Sequence, residues 1–296
     1  MTAALVFALS LPCVVSPPGS ESRAALQAAG VTQLCAEADL AGREALPTPG
    51  TTPRPGVASP TRSPWIVASG WRFIRHPETK YVYDVPAGKA VLAAAEAFAY
   101  GADAALKVDA ADARSLGDML KFLQALPSVD LPAVADLAIV DDGSAAIGEV
   151  MNLLARRNLL FQVVQAASPR FPINITIGTP EYPRDQAADP NAFALKIRRE
   201  LGDDKRALRV YGSEVVICRL TGDAGRARLH LINYGGRDIE GLRIRLRGTY
   251  APGDAHVSGV GRVPIEDHVV AGGATEFSLA RLTTYAVIDL NVARGF

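Results

Sequence analysis

The stretch Asp136-Leu137-Ala138-Ile139-Val140-Asp141-Asp142-Gly143-Ser144 decides the fold class. Residues 135–140 read as a strand, apolar but for Asp136, that ends in two acids and a Gly-Ser turn. Residues 148–158 follow with helical spacing, and residues 159–164 make another apolar strand. A short, continuous apolar run bounded by turns belongs to a strand buried on both faces, so this is a βαβ unit of a parallel sheet. The same rhythm extends upstream. Residues 87–100 are Ala-rich, with Val91, Leu92, Ala95 and Phe98 near helical spacing and Gly101 placed as a C-cap. Residues 104–108 read as a short strand, and 112–126 as a helix closed by Pro127.

From residue 213 onward the pattern changes. Strands are expected at 214–220, 226–233, 242–249, 274–279 and 284–290, separated by Gly-containing turns such as Tyr234-Gly235-Gly236. Alternation of Leu229 and Leu231 with Arg228 and His230 predicts one buried and one wet face. Short strands at close spacing indicate a small antiparallel β-sandwich. The expected fold class is therefore α/β, with parallel βαβ units followed by that sandwich. The expected boundaries are a possible signal segment at 1–20, a parallel region at 21–130, a second α/β region at 131–212 and the sandwich at 213–296.

With 296 residues and 49% hydrophobic composition, the chain can bury two modest cores. Lys+Arg and Asp+Glu are both 31, so the net charge is zero and a nucleic-acid partner gains no support. Arg243, Arg245 and Arg247 alternate with Leu242, Ile244 and Leu246, which reads as the solvated face of a strand. No apolar run is long enough to span a bilayer, and a homo-oligomer stays open.

Residues 3–15 are apolar apart from Ser10 and give way to Ser16-Pro17-Pro18-Gly19. That suits either a secretory h-region or the first buried strand of the fold, so export and a cytoplasmic location both remain open. Cys13, Cys35 and Cys218 are odd in number and widely spaced, and each reads as a small buried apolar residue. Residues 46–64 hold six prolines and read as a long, exposed, extended connection. Residues 65–83 are aromatic and basic.

Ligands of parallel α/β sheets bind beyond the carboxyl ends of the strands. That rule selects Glu37, Asp39, Asp109, Asp141 and Asp142 as candidate catalytic acids and Lys107 as a candidate ligand contact. Trp65, Trp71 and Arg72 join Lys107, because aromatic faces stack on sugar rings. Phosphate-loop, dinucleotide and nucleophile-elbow motifs are missing, and His76, His230, His256 and His268 lack metal-ligand spacing. No cofactor and no metal are expected. His230, flanked by Leu229 and Leu231, is expected at a strand surface, and Glu96 on an exposed or capping helix position.

The order of parts resembles the C-terminal portion of barrel-type glycoside hydrolases of the β-galactosidase kind. Residues 94–107 look like a late barrel helix and strand, and 135–164 like the first βαβ of an amidotransferase-like domain. Residues 228–290, ending in Tyr285-Ala286-Val287-Ile288-Asp289-Leu290, look like the terminal β module. The resemblance implies a partial (β/α) barrel, an amidotransferase-like α/β region and a C-terminal β domain. Such hydrolases need two carboxylates flanking the scissile bond, and the strands expected to carry them lie upstream of what the chain retains. The resemblance thus implies a degenerate, non-catalytic protein binding carbohydrate or a protein partner; the alternative is an active glycoside hydrolase using strand-end acids. The run 139–144 also resembles the strand-end acidic motif of inverting nucleotide-sugar glycosyltransferases, but no downstream Asp-x-Asp follows it.

Overall fold

The computed structural model describes residues 11–16, 20–52 and 65–293. The first unit is a parallel sheet. Its strands are β1 (Cys13–Val15), β2 (Leu34–Cys35) and β3 (Glu44–Leu46), followed after a small hairpin-like pair, β4 (Gly50–Thr52) and β5 (Trp65–Val67), by β6 (Tyr81–Val85) and β7 (Ala104–Val108). The five strands run in the order β2-β1-β7-β6-β3, every neighbour parallel. Helix α1 (Ser20–Ala28) precedes β2, α2 (Gly70–Arg75) precedes β6, α3 (Ala90–Tyr100) joins β6 to β7, and α4 (Ala113–Ala125) follows β7.

That order resembles the seam of a barrel. In a closed parallel barrel the first strand must pair with the last; here β1 pairs with β2 on one side and with β7 on the other. The sheet then stops at β2 and β3, which are its two open edges. Only residues 36–43, with a 3₁₀ turn at Glu37–Leu40, connect those edges. Completing eight strands there would take roughly 90 residues, at about 30 per βα unit. Set against an eight-stranded barrel, the sheet is interrupted between β2 and β3.

Residues 13–15, at the end of the apolar N-terminal run, form β1, an internal strand with Val14 and Val15 buried. Two expectations are corrected. Cys13 and Cys35 form a disulfide, with Cα atoms 5.7 Å apart. Parallel pairing places both on one face of adjacent strands, a proximity that sequence spacing cannot reveal. Leu46 to Thr52 are not an exposed connection: Leu46 and Gly50 are buried in β3 and β4. The remainder of that stretch, 53–64, lies outside the described residues.

The second unit is a three-stranded parallel sheet, β8 (Leu137–Val140), β9 (Phe161–Val164) and β10 (Asn174–Ile175), in the order β10-β8-β9. Helices α5 (Ala145–Arg156), α6 (Arg184–Ala187) and α7 (Pro190–Leu201) surround it. Because β9 and β10 flank β8 on opposite sides, β8 is a topological switch point.

The third unit is a sandwich. One sheet has the order β11 (Leu208–Tyr211), β14 (Ile239–Arg247), β18 (Ala274–Leu282), β17 (Glu266–Ala271); the other has β12 (Val216–Gly222), β13 (Arg226–Asn233), β19 (Tyr285–Asn291), β15 (Asp254–Val257), β16 (Gly261–Pro264). Leu242, Ile244 and Leu246 face the core, while Arg243 and Arg247 are exposed, as the alternation predicts. β11 and β15 to β17 escaped the sequence reading because they are short or carry few apolar residues.

The outer face of β13 is the main surprise. Arg228 and His230 are buried, since β13 and β19 pack this face on α3 and its neighbours. The polar half of the alternation is thus covered by the first unit. Arg228 holds Asp289 with contacts of 2.6 and 2.7 Å, and His230 Nδ1 meets the Tyr285 hydroxyl at 2.6 Å. α3 permits this packing. Ten of its eleven residues are buried, mostly alanines that let a sheet approach closely from either side.

Two outcomes are expected. Replacing Cys13 and Cys35 by serine should lower the unfolding free energy by about 3 kcal/mol in denaturant titrations, from loop-closure entropy over a separation of 22 residues. Burial, then the charges of Arg219 and Arg228, hold the His230 pKa well below its usual value. The folded protein therefore binds fewer protons than the unfolded chain once pH falls below about 6.5. Stability should decline through that window by up to about 1.4 kcal/mol per pH unit, and His230→Gln should remove this component.

Candidate functional site

The carboxyl ends of the first sheet carry Glu37, Asp39, Lys107 and Asp109. Tyr81, Tyr83 and Val85 of β6 turn outward into the core beneath α3, so Val82 and Asp84 lie on the inner face. Asp84 is in register with Lys107 of β7, placing the two side by side on that face. Ala105, two residues before Lys107, is in register with Cys13, so the disulfide shares the same surface. The inner face near the strand ends is open: Asp84 is exposed, and Lys107 and both cysteines are partly so.

Asp39 and Asp109 at this end of the sheet are committed to local structure. The Asp39 carboxylate accepts from the Ala36 N–H at 2.8 Å, capping the 3₁₀ turn after β2. Asp109 accepts from the Ala111 N–H at 2.8 Å, capping the turn before α4. Glu37 is exposed on the same turn as Asp39. Short polar side chains at such N-caps satisfy orphan backbone donors.

Asp141 and Asp142 belong to the other sheet, beyond the end of β8. Arg75 of α2 grips Asp141 in a bidentate pair, at 2.8 and 2.7 Å, and also donates to the Ser144 carbonyl. The Arg75 hydrogen bond is the main reason the Asp141 carboxyl sits below its ordinary pKa. Hydrogen bonds from the Ser144 side chain and then its N–H lower the Asp142 pKa too, and Arg184 approaches it at 3.3 Å. Ser144 caps α5 through a bond from the Ile147 N–H. An ion pair with α2 of the first unit therefore occupies Asp141 at the switch point. Acids held ionised in this way can accept hydrogen bonds but are poorly suited to donate a proton.

The aromatic candidates are largely internal. Trp71 is buried in the core of the second unit, against Gly148 of α5, with the Arg72 guanidinium 4.3 Å above its ring. Trp65 is partly exposed, with Arg156 3.9 Å over its ring. None of the five candidate acids shares a hydrogen bond with another, and they divide between two sheets.

Glu96, expected on an exposed or capping position, is completely buried. Its Oε1 accepts from the Ser69 N–H at 2.7 Å and from the Tyr234 hydroxyl at 2.5 Å, and its Oε2 accepts from the Tyr83 hydroxyl. Burial raises its pKa, against the lowering effect of these three donors. With no route to solvent it acts as a structural clamp. A lone Glu within an alanine helix was the one sequence signal of it. Among the described residues no group of three or more His, Cys, Asp or Glu is placed to hold a metal, and no helix is long and apolar enough to cross a membrane.

No family model and no curated protein matches the chain. Solved structures do match. An α-L-fucosidase, isoenzyme 2, from Paenibacillus thiaminolyticus superposes with a TM-score of 0.58 at 10% identity, over 88% of this chain and 68% of that one. A β-galactosidase from Rahnella sp. R3 gives 0.46 at 10% identity, over 76% of this chain and 57% of that one. A β-galactosidase from Bacillus circulans sp. alkalophilus gives 0.41 at 11% identity, over 94% and 59%. The chain thus spans less than two thirds of the length of both galactosidases. At such identities the likeness is one of fold, and the fold of this chain resembles that of barrel-type glycoside hydrolases.

Proposed function

We propose that this chain is a glycosidase-like protein that binds carbohydrate at the open inner face of its first sheet without hydrolysing it. The observation that carries this reading is the state of the strand-end acids. Glycoside hydrolysis needs one carboxyl with a raised pKa beside an ionised partner. Here Asp141 and Asp142 are lowered by Arg75, Ser144 and Arg184, Asp39 and Asp109 cap turns, and the two groups sit on separate sheets. What remains is Asp84 beside Lys107, with Glu37 and Asp109 at the same end of the sheet. A carboxylate accepts from sugar hydroxyls and an ammonium donates to them, which suits a polyol better than an apolar ligand. The amidotransferase-like character of the second unit belongs to the same reading. Its three parallel strands and the β8 switch point support it, and the Arg75–Asp141 pair gives that point a structural rather than a catalytic role.

A glycan array with a parallel assay on aryl glycosides tests this. The expected outcome is glycan binding that falls at least about tenfold (1.4 kcal/mol) in Asp84→Ala or Lys107→Ala, with thermal stability kept and no turnover. A hydrolytic rate abolished by Asp109→Asn or Asp141→Asn in a folded protein would instead establish an enzyme.

A further inference from the structure

A cavity of about 540 Å³ opens where the three units meet. It lies at the amino ends of the strands, opposite the sugar face. Tyr81 begins β6, Phe161 begins β9, and Ala102 precedes β7, and all three line it. Its third wall is β12, whose edge is covered by residues 132–134: Val134 N–H donates to the Leu220 carbonyl, and Gly222 N–H to that of Pro132. The volume falls within the range of small-molecule sites, and the walls are mainly apolar and aromatic.

Arg219 of β12 stands in this wall. One of its guanidinium nitrogens, Nη1, donates to the Ala99 carbonyl at 3.1 Å, and the group lies 5.4 Å from the Tyr100 ring centre. No carboxylate of the described residues comes within ion-pair distance of it, and its Nε and Nη2 find no acceptor among them. It is partly buried, and that burial disfavours its charged form. The Nε–Nη2 edge is the one that binds a carboxylate through two parallel hydrogen bonds. Of the other charged residues lining the cavity, Arg170 and Asp130 are exposed. Two guanidiniums and one carboxylate leave the cavity a net charge of +1, which matches a monoanion rather than a dianion.

We propose that this cavity binds a small monocarboxylate with a flat apolar body, its carboxylate on Arg219 and its body against Tyr100, Phe161 and Leu220. The site is independent of the sugar-binding reading, because it uses other residues at the opposite ends of the strands.

The test uses the full chain with sodium benzoate and neutral benzamide as isosteric probes, by thermal shift and isothermal titration. Benzoate should raise the melting temperature and bind at least tenfold more tightly than benzamide. Arg219→Met should lose that preference while melting at or above the wild-type temperature without ligand, since it removes a partly buried charge that has no carboxylate partner among the described residues. Arg219→Lys should retain part of the preference. Equal behaviour of the two probes in the wild type would overturn the proposal. So would an Arg219→Met variant that keeps the benzoate preference, or one whose melting temperature collapses without ligand, which would make Arg219 a bolt for the Ala99 carbonyl.

Discussion

The Glu96 carboxylate is the point on which the assembly of this molecule depends. It sits on α3 between the open parallel sheet and the sandwich, and its three donors come from three places. Tyr83 belongs to β6, Tyr234 follows β13, and the Ser69 N–H stands at the start of α2. Removing one buried partner leaves the others unsatisfied, each at about 1–3 kcal/mol. The alanines around Glu96 make this contact possible, because larger side chains would hold the sandwich away from the helix. The interaction also orients α2, whose Arg75 then reaches Asp141 and ties in the second unit. The five-stranded sheet, which lacks a closed barrel's continuous ladder, is in this way supported from outside.

Much of this architecture is legible in the residues. The helices and strands of residues 87–164 fall close to their expected places because their apolar periods are long, and Gly101 adopts the left-handed C-cap conformation that its position requires. The sandwich strands with clean alternation, β12, β13 and β14, could be read as well. What could not be read was anything decided by pairing between distant segments. β1 lies between β2 and β7, pairing with a segment about 90 residues away, and neither its three residues nor their spacing reveals that. The Cys13–Cys35 disulfide depends on this same pairing. Arg228 and His230 look solvated because periodicity shows which face differs from the core, not whether another layer covers it.

The candidate site was legible to a similar degree. The rule that ligands gather at strand ends found Lys107 and the turn acids, yet it passed over Asp84, which a register pairing with Lys107 singles out. The rule also cannot tell a free acid from one already held by a cap or an arginine, and for Asp141 and Asp142 that distinction decides the chemistry. Glu96 and Arg219 escaped for a related reason. A charged residue on an apolar element reads as exposed, whereas here the second and third layers bury one with partners and leave the other without a carboxylate.

The most direct test of the clamp is equilibrium denaturant unfolding of Glu96→Leu beside the triple variant Glu96→Leu, Tyr83→Phe, Tyr234→Phe. Leucine fills a similar volume but leaves two hydroxyls and one N–H without an acceptor. The single variant should lose about 3 kcal/mol or more, and the triple variant should recover most of it, because removing both partners of a buried hydrogen bond is nearly neutral. A single variant as stable as the wild type, or a triple variant no more stable than the single one, would contradict the account.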